Sequence, residues 1–210
     1  MSLNIKSKER PQIPPLAGGT YPAICVGIVD LGEQYNQFFK KYESKVLIVW
    51  EIPSQTVEVD GEEKPRWLSR DYTASLNAKS KLAEVITGWR GEPITEQERR
   101  EGMNLSEFLG RSCLLQVIVE QKEDRTFNRV SAVMGMPVGM PSVTTESELF
   151  LFDMDNWDEE VLEALPDWMA ERVKRSTEYQ KRHTPDTVVD FDTVVPREET
   201  EETQQEDCPI

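Results

Sequence analysis

The chain has 210 residues, 24 Lys+Arg against 39 Asp+Glu, a formal net charge of −15 and 38% apolar residues. That length suits one compact domain with appendages, and the low apolar fraction fits a folded body with a polar tail. No apolar run approaches the ~20 residues of a membrane span, and Cys25, Cys113 and Cys208 are too few and too scattered for a disulfide framework, so a reducing cytoplasm is the expected location.

Residues 1–14 carry no apolar signal core. Lys6, Lys8 and Arg10 followed by Pro11 and Pro14 read as a flexible arm. Tyr21 to Leu31 is β-branched and apolar, a first strand. Gly32 to Lys41 is polar and aromatic and reads as a long hairpin loop, and Tyr42 to Ile52 is a second strand stopped by Pro53. After a turn at Asp60-Gly61, Arg66 to Ala74 alternates like a half-exposed third strand. Asn77 is positioned to cap a helix from Ala78 to about Trp89, which places Leu82, Val85, Ile86 and Trp89 on one face. Thr95 and Glu98 have capping-box spacing for a second helix to about Arg100, and Leu105 to Leu109 forms a short turn closed by Gly110. Ser112 to Glu120 and Thr126 to Met136 pair as strands four and five across a charged turn.

The order β-β-β-α-β-β, with the helix between strands three and four, predicts a mainly β protein: a five-stranded OB-fold barrel over residues 15–140. Residues 141–182 are expected to be a linker and helical appendage. Asp155 or Asn156 would cap one helix through Leu165, and Pro166 would open another to about Arg182. Residues 183–210 are expected to be a disordered acidic tail.

A strongly acidic chain is a poor nucleic-acid binder, because phosphate contacts need Lys and Arg. Here the acid is segregated. Residues 1–145 carry 18 Lys+Arg against 19 Asp+Glu, whereas residues 146–210 carry 6 against 20. Single strands are held by rings that stack on bases beside cations that meet phosphates. The first hairpin offers Tyr35, Phe38, Phe39, Lys40, Lys41 and Tyr42, with Lys45 behind them; strand three adds Trp67, Arg70 and Tyr72; the last hairpin adds Lys122, Arg125, Phe127 and Arg129. Placed side by side on a barrel, these three regions would make one groove for single-stranded DNA. The competing reading makes Trp67, Tyr72 and Phe127 half-buried sheet residues and the lysines solvated loop charge.

Catalytic alternatives have weaker signals. Asp30, Glu43 and Lys45 mimic the spacing of a Mg²⁺-dependent nuclease. Asp153, Asp155 and Asp158 lack the glycine and later glutamate of a Ca²⁺ loop. His183 is the only histidine, the cysteines have no zinc spacing, and Gly135-x-x-x-Gly139 lacks the lysine of a phosphate loop. No enzyme, cofactor or metal is therefore expected.

The last five residues, Glu206, Asp207, Cys208, Pro209 and Ile210, put an apolar hook on negative charge, suited to a pocket with a basic rim on a partner protein. That ending resembles the tip of bacterial-type single-stranded DNA-binding proteins, with Cys and Ile standing where aliphatic and aromatic residues are usual. Over about residues 15–170 the body resembles phage-encoded single-stranded DNA-binding proteins of the replication and recombination cluster. The resemblance is carried by Tyr21 to Gly32 (YPAICVGIVDLG), Lys45 to Glu51 (KVLIVWE), Trp89-Arg-Gly91, Leu109 to Leu115 (LGRSCLL) and Leu165-Pro-Asp-Trp168. It implies an OB-type fold, a role in DNA replication, recombination or repair in a bacterial host cytoplasm, and replication or recombination proteins as partners of the tip. It assigns no contact residue. An OB-fold adaptor or inhibitor without nucleic acid is the alternative, and Leu149 to Phe152 or the Trp168 helix are candidate surfaces for a homo-oligomer.

Overall fold

The structure, a computed structural model, describes residues 13–59, 61–123 and 125–184. The tip residues Glu206 to Ile210 and nearly all of the N-terminal arm lie outside the described residues. Five antiparallel strands form one curled sheet, a half-barrel: β1 (Gly19–Asn36), β2 (Lys41–Val59), β3 (Glu62–Thr73), β4 (Ser112–Lys122) and β5 (Arg125–Met134), in the order β3-β2-β1-β4-β5. A short β6 (Phe150–Phe152) adds parallel to β1 at Gly27 to Val29, beyond the stretch where β1 pairs with β4.

Two strands run further than their composition suggests, because irregularities absorb the residues that would have stopped them. Gly32, at φ +63, sits at a register shift in β1. The polar residues after it remain paired, with Tyr35 opposite Tyr42, so most of the expected loop is hairpin ladder. Pro53 lies within a second irregularity between Ile52 and Thr56, where its missing N–H costs no ladder bond, and pairing with β3 resumes at Thr56 opposite Pro65.

Helix α1 (Lys81–Arg90) buries Leu82, Val85, Ile86 and Trp89 against the concave face of the sheet. Its cap is Ser80, whose hydroxyl accepts from the Ala83 N–H at 3.1 Å, not Asn77. Helix α2 (Glu96–Glu101) carries the expected capping box, with Glu98 N–H donating to Thr95 Oγ1 at 3.2 Å and Thr95 N–H to Glu98 Oε2 at 2.7 Å. A 3-10 turn over Leu105–Phe108 buries Phe108 beside Trp89. Strands β3 and β5 approach each other through side chains: Arg70 donates to the Val130 carbonyl, and Arg66 reaches Asn128 Oδ1 at 3.4 Å and the Pro14 carbonyl at 2.9 Å. Asn128 also exchanges two hydrogen bonds with the Leu16 backbone, so the segment after the arm straps this seam.

The C-terminal appendage docks on the convex face of β1 and β2. Its helices are α3 (Glu159–Ala164), α4 (Asp167–Lys174) and α5 (Thr177–His183). Asp158 caps α3, where Asp155 or Asn156 was expected. Ser176 is fully buried and caps α5, and so splits the expected single helix after Arg175. Phe152, Leu162, Leu165, Met169 and Val173 pack on Ile24, Val26, Val29, Leu31, Leu47 and Val49. Each such buried apolar side chain contributes ~1.5–3 kcal/mol. Glu51, buried against this layer, is satisfied by the Trp67 indole N–H at 3.2 Å and by the Ser147 hydroxyl. β6 lies so close to β1 that a Cβ on Gly27 would overlap the Phe150 ring.

Gly27→Ala should therefore displace Phe150 and lower the unfolding free energy by about 1–3 kcal/mol, the usual cost of overpacking. Urea denaturation checks this, and a midpoint equal to that of the unaltered protein would show that β6 tolerates the displacement.

Candidate nucleic-acid interface

The candidate site is built upward from the β1–β2 hairpin, which projects beyond the doubly covered part of the sheet. At its apex Phe38 is 86% exposed and Phe39 62% exposed, their rings perpendicular with centroids 4.9 Å apart. The turn is ordered by Asn36, whose side-chain oxygen accepts from the Phe38 and Phe39 N–H groups at 3.1 and 3.2 Å. Such a side-chain turn replaces backbone pairing where the chain reverses. Lys40 completes the reversal at φ +51. One rung down, Tyr35 and Tyr42 face each other across the strands, both exposed, with centroids 5.2 Å apart. Four rings thus occupy the open end of one hairpin, and Lys41 Nζ sits 5.6 Å from the Phe39 centroid.

Glu43 organises the cations behind the rings. Lys41 and Lys45 each donate to its carboxylate at 2.9 Å, and the Asn36 amide donates to it as well, at 2.9 Å. The Asn36 hydrogen bond, followed by those of Lys45 and Lys41, holds the Glu43 carboxyl down to about 2. Lys45 Nζ also donates to Thr73 Oγ1 at 2.8 Å and is mostly covered, so it braces the hairpin against β3 more than it offers charge to a ligand. Lys40 enters no ion pair among the described residues and remains open.

The other sequence-selected residues do not join this cluster. Tyr72 is 3% exposed and faces the concave core, where burial pushes its phenol pKa up, so it presents no ring to a ligand. Arg70, on the same face of β3, stacks over Tyr72 and closes the seam to β5. Trp67 faces the opposite side, packed on Phe150 under the appendage with its indole N–H on Glu51. Lys122, Arg125 and Phe127 are exposed, but their hairpin lies past Gly19, where β4 outruns the start of β1, whereas the aromatic hairpin lies past Asn36. The two hairpins thus leave the curled sheet at opposite ends of β1. Arg129 pairs with Glu120 beside them.

Lys79 lies beside Ala83, Glu84 and Thr87 of α1 and Arg99 of α2. It is exposed in the segment after β3, which is tied to the hairpin base by the Ala74 N–H donating to the Ser44 carbonyl at 2.8 Å. Asn36 and Glu43 were missed as organisers, because their roles appear only once the hairpin is paired.

The nuclease-like spacing does not converge. The Asp30 carboxylate accepts from the Gly32 N–H at 2.8 Å; burial, chiefly, and the nearby Asp153 and Glu178 push its pKa up. Glu43 is turned instead toward the lysines of the hairpin. Among the described residues no three His, Cys, Asp or Glu side chains are grouped to hold a metal ion. Cys25 is fully buried, its thiol pushed up to about 12. Among the described residues no helix is long and apolar enough to cross a membrane. Compared with known proteins, the chain matches no family model and no curated sequence.

Because Glu43 is ionised in the folded hairpin well below its ordinary 4.5, its contribution is complete above pH 4.5 and is lost as pH falls through about 2. NMR of the Lys41 and Lys45 side chains should show their contacts with Glu43 unchanged between pH 7 and 5 and released only in strong acid. Release already near 4.5 would mean that the network does not form.

Proposed function

We propose that this protein binds single-stranded DNA without sequence preference in replication, recombination or repair. The binding body is read as an OB-type barrel. The sheet order β3-β2-β1-β4-β5, the side-chain approach of β3 to β5, and a helix between β3 and β4 support that reading. The observation that carries the function is the exposure of four rings beside Lys40 and Lys41 on a hairpin kept clear of both cores. Large exposed rings at one place are costly in water unless something covers them. Stacked bases cover rings of any orientation without reading sequence, and each contributes ~1–3 kcal/mol.

The convex face of β1 and β2 is not available for this, since the appendage occupies it. The site is accordingly the hairpin itself, smaller than the groove expected from sequence. Catalysis and cofactors have no part in the reading. The tip Glu206 to Ile210 is assigned to recruiting replication or recombination proteins, and its acid would steer it toward basic pockets.

One observation favours a protein adaptor instead: the appendage over the sheet, residues 146–184, carries 5 Lys+Arg against 11 Asp+Glu. A fluorescence titration with oligo-dT over a salt series separates the two readings. Affinity should fall steeply with ionic strength, and Phe38→Ala with Phe39→Ala should weaken binding about fivefold or more while leaving the fold intact. No affinity at low salt, or an unchanged one in the double variant, would contradict the assignment. In the same titration, a chain lacking residues 206–210 should bind DNA at least as well while failing to pull down partners.

A further inference from the structure

A ring at the apex of a hairpin meets nucleic acid differently from a ring along a groove. Phe38 and Phe39 stand at the end of a protrusion only two strands thick, so they can abut the end of a base stack but cannot line an extended path. Their turn is held by two hydrogen bonds to Asn36, and the base of the hairpin is fixed by the Glu43 network and by Lys45 on Thr73. The appendage adds a further anchor at the same base: Glu178 accepts from the Glu33 N–H at 2.9 Å, and the Gln34 amide donates to the Arg172 carbonyl at 3.0 Å. The rings are therefore presented on a braced support. Below them the Tyr35–Tyr42 rung offers room for only a few further bases before the covered sheet begins.

From this geometry we infer that the preferred ligand of the hairpin is a junction between duplex and single-stranded DNA. The last base pair of a duplex presents a flat apolar face with no neighbour stacked on it. Covering that face requires no unstacking, whereas inserting a ring between bases of a continuous stack costs a few kcal/mol. Of the perpendicular Phe38 and Phe39 rings, one lies flat on that terminal pair and the other supports it at right angles. Tyr35 and Tyr42 take the first unpaired bases, and Lys40 and Lys41 meet the phosphates where the strands diverge. This inference rests on the single-strand reading above and narrows it from coating long tracts to holding their ends.

The test uses the full chain and three DNAs in anisotropy titrations: a single strand, a forked duplex with the same unpaired sequence, and a blunt duplex. The fork carries 2-aminopurine in its terminal pair. The fork should bind about tenfold tighter than the single strand, with a change in 2-aminopurine emission, and both effects should vanish in Phe38→Ala with Phe39→Ala. Equal affinity for fork and single strand, or an emission change that persists in the double variant, overturns the junction inference and leaves single-strand binding standing. Failure to bind any of the three overturns both.

Discussion

Burial of β1 and β2 on both faces is the constraint from which the rest of this structure follows. A strand covered on one side alternates apolar and polar residues, whereas one covered on both sides is apolar throughout. Ala23 to Val29 and Val46 to Trp50 are of the second kind. Their concave side chains meet α1 and β4, and their convex side chains require a second layer. The appendage is that layer. Without it, Ile24, Val26, Val29, Leu47 and Val49 would form an exposed apolar patch, a liability for any free protein. The C-terminal helices are thus part of the fold of the sheet, and the surface left for a ligand is what they do not cover.

Much of the sheet was legible from local pattern. Five strand segments, the apolar face of α1 and the Thr95–Glu98 capping box each depend on spacing within a short window, and each lies where its spacing placed it. The strand ends were not legible, because Gly32 and Pro53 act through bulges, and a bulge is a property of a pair of strands. Helix starts moved for a similar reason. Asn77 and Ser80, or Asp155 and Asp158, are equivalent caps by composition, and packing of the following turn chooses between them. Docking of the appendage was in principle written in the uninterrupted apolar run Val46 to Trp50, whose missing alternation calls for cover on both sides.

The candidate site divides along the same line. Tyr35, Phe38, Phe39 and Tyr42 share one hairpin, so sequence proximity brings them together. Trp67, Arg70 and Tyr72 depend on which way β3 faces and on what covers each side. Arg70 and Tyr72 point to the core and Trp67 to the second layer, leaving none of the three on an open surface. Lys122, Arg125 and Phe127 depend on where β4 ends relative to β1, a matter of register alone. The acidic partner of the cationic hairpin is Glu43, within the hairpin itself. It neutralises much of the charge of Lys41 and Lys45 and leaves Lys40 as the most accessible cation of the group.

Hydrogen exchange with and without oligo-dT reads the covered face and the open hairpin at once. Binding at the hairpin should add protection over residues 35–45 and leave Ile24 to Val29, Val46 to Glu51 and the three C-terminal helices unchanged. Loss of protection in those helices on binding would show instead that DNA displaces the appendage and occupies the convex face of the sheet.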